Sequence, residues 1–251
     1  KGLRWQRGIG KPSKLIDGST AWDSIIVDIT EEKKTELNLK EKTKYLTILS
    51  EVNQELINYK DWDSSINKIF RLIGESMNVD RVYFFKYFYE EGIEKMKHIF
   101  EWCSAKTFPQ IDDPQLQNLP SSHIPSITES MHKNKAYHAK ISDMPESDEK
   151  TLFKESGIKS IYNIPVKVRQ KLFGLLGFDD CTKEREWSDQ EISFLATIAQ
   201  NISIAYESHV AELKLIKEVK AREAILESIK DGFFSINENW TINYWNEEAE
   251  R

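Results

Sequence analysis

Apolar positions recur along this chain with two different periods. From position 30 to about 59 there is no glycine or proline, and Tyr45, Leu49, Val52, Leu56 and Tyr59 recur at spacings of 4, 3, 4 and 3. That is a heptad seam, and it predicts a long amphipathic helix. A second helix is predicted over about 64–77, where Ile66, Ile69, Phe70, Ile73 and Met77 share one face. The aromatic run Val82–Phe88 and the stretch 96–103 read as strands around a Glu90-Glu91-Gly92 turn. Residues 159–168 and 171–180 read as a hairpin around Arg169-Gln170. Between these pairs, Pro109, Pro114, Pro120 and Pro125 mark 104–125 as a loop, followed by short helices at 126–133 and 148–156.

The ends repeat the same vocabulary. Residues 3–10 and 22–29 read as two strands with a turn at Asp17-Gly18, and Thr30 is a candidate N-cap for the first helix. Ser188 opens a helix free of glycine and proline until Gly232, about 43 residues, or roughly 65 Å at the α-helical rise. Its seam includes Ile198, Ile202, Ala205, His209, Leu213 and Ile216, with a stutter near His209. A helix of that length outruns one domain and calls for a second helix to lie against. Residues 233–236 and 241–245 read as two further short strands. Neither terminal strand pair is large enough to fold alone. The middle strands are apolar on both faces in places, which implies helices on both sides. The expected fold class is α+β: a central antiparallel sheet with helices on both faces and long linker helices at either end.

Composition narrows the function classes. The 251 residues include 35 basic and 41 acidic side chains, a formal charge of -6 that argues against general nucleic-acid binding. The 2 cysteines, Cys103 and Cys181, exclude a disulfide scaffold and a paired-cysteine zinc site. No run is long and apolar enough to span a bilayer, so no membrane contact by this segment and a cytoplasmic setting are expected, whether or not a longer parent is membrane-tethered.

Three regions carry a family resemblance. Ile164-Pro165-Val166, Leu172-Phe173-Gly174-Leu175-Leu176-Gly177-Phe178-Asp179-Asp180 and Glu186-Trp187-Ser188-Asp189-Gln190-Glu191-Ile192 resemble the terminal hairpin and helix of a GAF domain. Asp80-Arg81-Val82 is similar to that family's first core strand. Residues 1–34, through Arg4-Trp5, Asp17-Gly18 and Asp28-Ile29-Thr30-Glu31, look like the end of a PAS domain, and 225–250 look like the start of another. The resemblance implies a PAS remnant at 1–30, a helical linker at 31–47, a GAF domain at 48–208, a second linker at 209–224 and a PAS start at 225–251. That order is typical of multi-domain sensor histidine kinases. It implies a signal-relay fragment, not itself an enzyme, that pairs as a parallel homodimer with PAS domains on either side and a kinase or other output domain in the parent chain.

No catalytic motif competes with this reading. None of the five histidines has the acid-then-proline context of a kinase phosphoacceptor; His209, on the long helix, reads as a polar seam residue. There is no P-loop or dinucleotide fingerprint. His98, His123, His132, His138 and Cys103 match no metal-ligand spacing, so no metal or cofactor is expected. The resemblance implies a small-molecule pocket between the sheet and the short helices. Its expected lining is Tyr83, Phe85, Phe100, Trp102, Ile127, Met131, Tyr137, Phe153, Tyr162, Ile164 and Phe178. The expected dimer seam is Leu49, Val52, Leu56, Ile198, Ile202, Ala205, His209, Leu213 and Ile216. Two alternatives stand beside the relay: a thiol enzyme of the free methionine sulfoxide reductase type using Cys103 and Cys181, and a ligand-free dimerisation spacer.

Overall fold

The computed structural model describes residues 3–250; Lys1, Gly2 and Arg251, the outermost residues of the expected flanking segments, lie outside the described residues. The chain divides into two compact units, residues 1–54 and 55–251.

In the first unit, β1 (Gln6–Lys14) and β2 (Thr20–Asp28) pair antiparallel, with Gln6 opposite Asp28 and Lys14 opposite Thr20. Gly18 turns the hairpin at φ +83°, a conformation that a Cβ would strain. The Asp17 carboxylate accepts from the Ser19 backbone N–H at 2.9 Å. Helix α1 (Thr30–Ile57) follows. Its start departs from the expected cap: the Thr30 hydroxyl oxygen accepts from the Trp5 N–H at 2.9 Å, and Asp28 supplies the carboxylate that accepts from the Thr30 N–H at 2.9 Å.

The second unit is built on a six-stranded antiparallel sheet. Helix α2 (Trp62–Met77) is capped by Asp61, whose side chain accepts from the Ser64 N–H. The strands are β3 (Arg81–Glu90), β4 (Ile93–Cys103), β5 (Leu119–Pro120), β6 (Tyr137–Lys140), β7 (Ser160–Val168) and β8 (Lys171–Asp180), in the order β5-β4-β3-β8-β7-β6. Between β4 and β5 the proline-rich segment is more ordered than its composition predicts: Leu116–Asn118 and Ser121–His123 form 3-10 turns. Helices α3 (Pro125–His132) and α4 (Asp148–Glu155) follow β5 and β6 in the chain. Helix α5 (Asp189–Glu227) is one 39-residue helix, opened by a capping box between Ser188 and Glu191. Beyond it, β9 (Phe234–Ile236) and β10 (Ile242–Trp245) form a small hairpin, followed by the short α6 (Glu247–Glu250).

Both faces of the central sheet are covered, as its two-sided apolar strands require. One face carries α2 and α5: Phe70 meets Phe100 edge to face, and the Trp102 ring lies so close over Gly74 that a Cβ there would collide with it. The other face packs Tyr83, Phe85, Tyr87, Met96 and Leu175 against Ile127 and Met131 of α3 and Phe153 of α4.

Candidate functional site

The cavity lies on the α3–α4 face. Its volume is about 60 Å³, and its walls come from five strands, α3, α4 and the segment between β4 and β5. Phe85, Leu119, Ile124, Ile127, Phe153, Ile161 and Leu175 supply apolar wall; Arg81, Tyr83, His98, Gln110, Asn163 and Asp179 supply the polar end.

A register shift in β4 decides which side chains reach it. Phe84 pairs with Phe100, whereas Phe85 pairs with His98, so Ile99 is the extra residue of a β-bulge. In a regular strand, His98 and Phe100 would share a face. The bulge sends His98 into the cavity and leaves Phe100 with the α2 side, where Ile99 also lies.

The polar end is a buried network. The Arg81 guanidinium donates from Nη1 to Asp179 Oδ2 at 3.1 Å and from Nη2 to Thr107 Oγ1 and the Phe108 carbonyl at 3.3 and 3.2 Å. Its Nε lies 3.3 Å from Glu101 Oε1. Glu101 Oε2 accepts from the backbone N–H groups of Gln110 and Ile111 at 2.7 and 2.9 Å, which ties the loop to β4. The Tyr83 Oη lies 3.0 Å from Asp179 Oδ1 and 3.1 Å from Asn163 Oδ1. Gly177 makes this geometry possible, because a Cβ there would collide with the Tyr83 ring. Burial pushes the Asp179 carboxyl up to about 6, against the opposing pull of Arg81.

His98 is 2% exposed and stacks on Phe85 at 4.6 Å and 13°. Neither of its ring nitrogens completes a hydrogen bond of good geometry, although backbone groups of Gln110 and Phe100 lie close enough to favour its protonated form, and Asn163 Nδ2 also lacks a partner. Burial lowers the His98 pKa to about 4, so the ring is neutral.

Of the expected lining, Tyr83, Phe85, Ile127 and Phe153 reach the cavity. Met131 and Tyr137 belong to the same apolar cluster without lining it. Phe100 and Trp102 lie with α2, displaced by the bulge. Tyr162, Ile164 and Phe178 also lie on the opposite face, because the period-2 alternation gives the cavity Ile161, Asn163 and Asp179 instead. The sequence reading favours aromatic residues where the strands present polar ones; strict alternation from Tyr83 through its partner Gly177 leads to Asp179 and Asn163.

The residues of the expected seam divide. Val52, Leu56, Ile198 and Ile202 are buried within the chain, and Leu49 and Ala205 are half-buried. His209 stacks on Trp62 at 4.9 Å and 10°, with its Nδ1 3.1 Å from the Tyr59 hydroxyl. Leu213 and Ile216 are 52% and 44% exposed, and Val219 continues that exposure at 47%. The sheet also holds α5 directly: Ser203 Oγ donates to the Lys167 carbonyl, and the Arg169 N–H donates to the Glu207 carboxylate.

The cysteines lie outside the cavity lining. Burial, with Glu101 beside it, pushes the Cys103 thiol up to about 12; burial and Asp179 push Cys181 up as well. Both therefore rest as thiols, the weaker nucleophile. Among the described residues, no group of three or more His, Cys, Asp and Glu side chains is placed to hold a metal ion. No helix among them is long and apolar enough to cross a membrane.

The GAF domain family model matches residues 61–206. The methanogenesis regulatory histidine kinase FilI of Methanothrix harundinacea is 32% identical over 212 residues, which are 80% of this chain and 24% of that protein. The circadian input-output histidine kinase CikA of Thermosynechococcus vestitus is 26% identical over 165 residues, 62% of this chain and 21% of that protein. The chain thus spans about a quarter or less of these curated relatives. Among solved structures, a phycocyanobilin-bound GAF domain from a cyanobacterial phytochrome superposes with a TM-score of 0.57 at 18% identity, covering 67% of this chain and 96% of that one.

Proposed function

Since the chain belongs to the GAF domain family over residues 61–206, we propose that it is the sensing and relay segment of a sensor histidine kinase. In this reading the GAF unit takes a small molecule into the cavity around His98 and Asn163, and α5 carries the response to the output domain. Two copies pair in parallel along the second half of α5. The flanking segments, 1–30 and 225–251, belong to PAS domains of the parent. The segment works in the cytoplasm, contacts neither membrane nor nucleic acid, and has no catalytic residues of its own. Two relatives that are histidine kinases support the signalling role.

One observation carries the reading: α5 has two halves of different character within one unbroken helix. Ile198 and Ile202, at 0% and 5% exposure, are core, whereas Leu213, Ile216 and Val219 present a spaced apolar stripe beyond the core. A shift of the sheet face is therefore a shift of a rigid rod whose far end has apolar surface to bury. The relay turns on geometry that a parallel dimer alone provides. With Cys103→Ser and Cys181→Ser as background, Leu213→Cys places one thiol per chain on the stripe. A parallel pair brings the two thiols within disulfide reach and cross-links quickly under mild oxidation. Absence of an intermolecular disulfide, with the chain folded, would contradict parallel pairing.

A further inference from the structure

We propose that the cavity recognises a small neutral molecule bearing a carboxamide-type group, such as a primary amide, a lactam or a urea. This rests on the ligand-sensing reading above and names the class that the site selects. His98 and Asn163 are buried, line the same cavity and leave hydrogen-bonding atoms unpartnered there. Buried polar atoms are almost always satisfied, because leaving them bare is costly. A cavity occupant is the partner that both side chains face.

The surrounding charges restrict that occupant. An anion finds the Arg81 charge already matched by two carboxylates, Asp179 Oδ2 at 3.1 Å and Glu101 Oε1 at 3.3 Å. Two carboxylates against one guanidinium also make that wall unfavourable to negative charge. A cation finds Asp179 engaged by Arg81 and Tyr83, and Glu101 engaged by two backbone N–H groups and the guanidinium. What remains is a neutral group that donates and accepts at once. A neutral imidazole offers one donor and one acceptor, and a carboxamide offers both kinds as well. A ligand carboxamide offers a donor and an acceptor to the two side chains.

Size and wall chemistry agree. A cavity of about 60 Å³ exceeds the roughly 15 Å³ that a single water needs by this measure. It suits an amide head with one or two carbons. Phe85, Leu119 and Ile127 would leave a second water short of partners but would pack a methyl group.

The test is NMR titration of the ¹⁵N-labelled chain with acetamide, acetate and acetone, three molecules of nearly one shape. Acetamide should produce saturable shifts of the Asn163 side-chain amide and the His98 ring. Acetate and acetone should be at least about tenfold weaker, since acetate carries a charge that the site disfavours and neither offers a donor. His98→Phe and Asn163→Leu should each abolish the acetamide response; either variant that keeps the parent spectrum elsewhere suffices. Equal or tighter binding of acetate or acetone overturns the carboxamide class and leaves ligand sensing standing. A flat response to all three overturns the proposal, with water as the occupant. Whether sensing falls too is read separately from Ile127→Trp, which fills the cavity: an unchanged Leu213→Cys cross-linking rate removes the cavity from signalling.

Discussion

At the residue scale, His98 and Asp179, both lining the cavity, oppose one another. His98 has its pKa lowered from 6.5 to about 4, so between those values the unfolded chain binds a proton that the folded chain refuses, and stability rises with pH. Asp179 has its pKa raised from 3.8 to about 6, so in that window the folded chain holds a proton that the unfolded chain has released, and stability falls with pH. Each contribution is on the order of 3 kcal/mol, and the two nearly cancel between about pH 4 and 6. Denaturant melts of His98→Phe should lose stability as pH rises from about 4 to 6, whereas Asp179→Asn should gain it. Matching flat profiles would contradict the assignment. The residues behind this pair are only partly legible in the sequence. Tyr83 and Phe85 are found because β3 alternates regularly, but His98 is hidden by the bulge at Ile99. A bulge has no composition signature in a strand reading Met96-Lys97-His98-Ile99-Phe100, and one extra residue reverses every later assignment.

At the element scale, the strands and helices are legible almost throughout, because periodicity and caps agree locally. The proline-rich segment is the exception: its 3-10 turns are held by tertiary bonds, such as Gln117 Nε2 to the His98 carbonyl at 3.0 Å, that no local pattern reports. Two features of single elements give predictions. Arg169 and Gln170 turn the β7–β8 hairpin at φ +51° and +63°, conformations that suit an asparagine followed by a glycine far better. Changing one of the two residues would relieve only part of the strain, so the double change Arg169→Asn with Gln170→Gly is the informative one. It should raise stability by about 1 kcal/mol in thermal melts, and a loss would show that these side chains matter more than the turn. In α5, Ile202→Glu puts a carboxylate into the core and should cost several kcal/mol, while Leu213→Glu at an exposed site should leave the melt of the GAF unit within about 0.5 kcal/mol. Equal losses would mean that the helix is not divided as described.

At the scale of the whole molecule, the heptad seam read from sequence merges two physical roles. Ile198 and Ile202 recur in step with Leu213 and Ile216, yet the first pair is core and the second is exposed. Periodicity reports an apolar stripe; it does not report whether a sheet or another helix covers it. The aromatic contact of Trp62 with His209 marks the change from one role to the other, at the place where the sequence shows a stutter. Proposed pairing therefore rests on the exposed stripe alone. The most direct measurement is solution mass by light scattering, on the parent chain and on Leu213→Glu with Ile216→Glu. Pairing along the stripe should give a dimer for the parent and a folded monomer, with unchanged circular dichroism, for the double variant. A parent that stays monomeric at high concentration, or a double variant that remains dimeric, would contradict it.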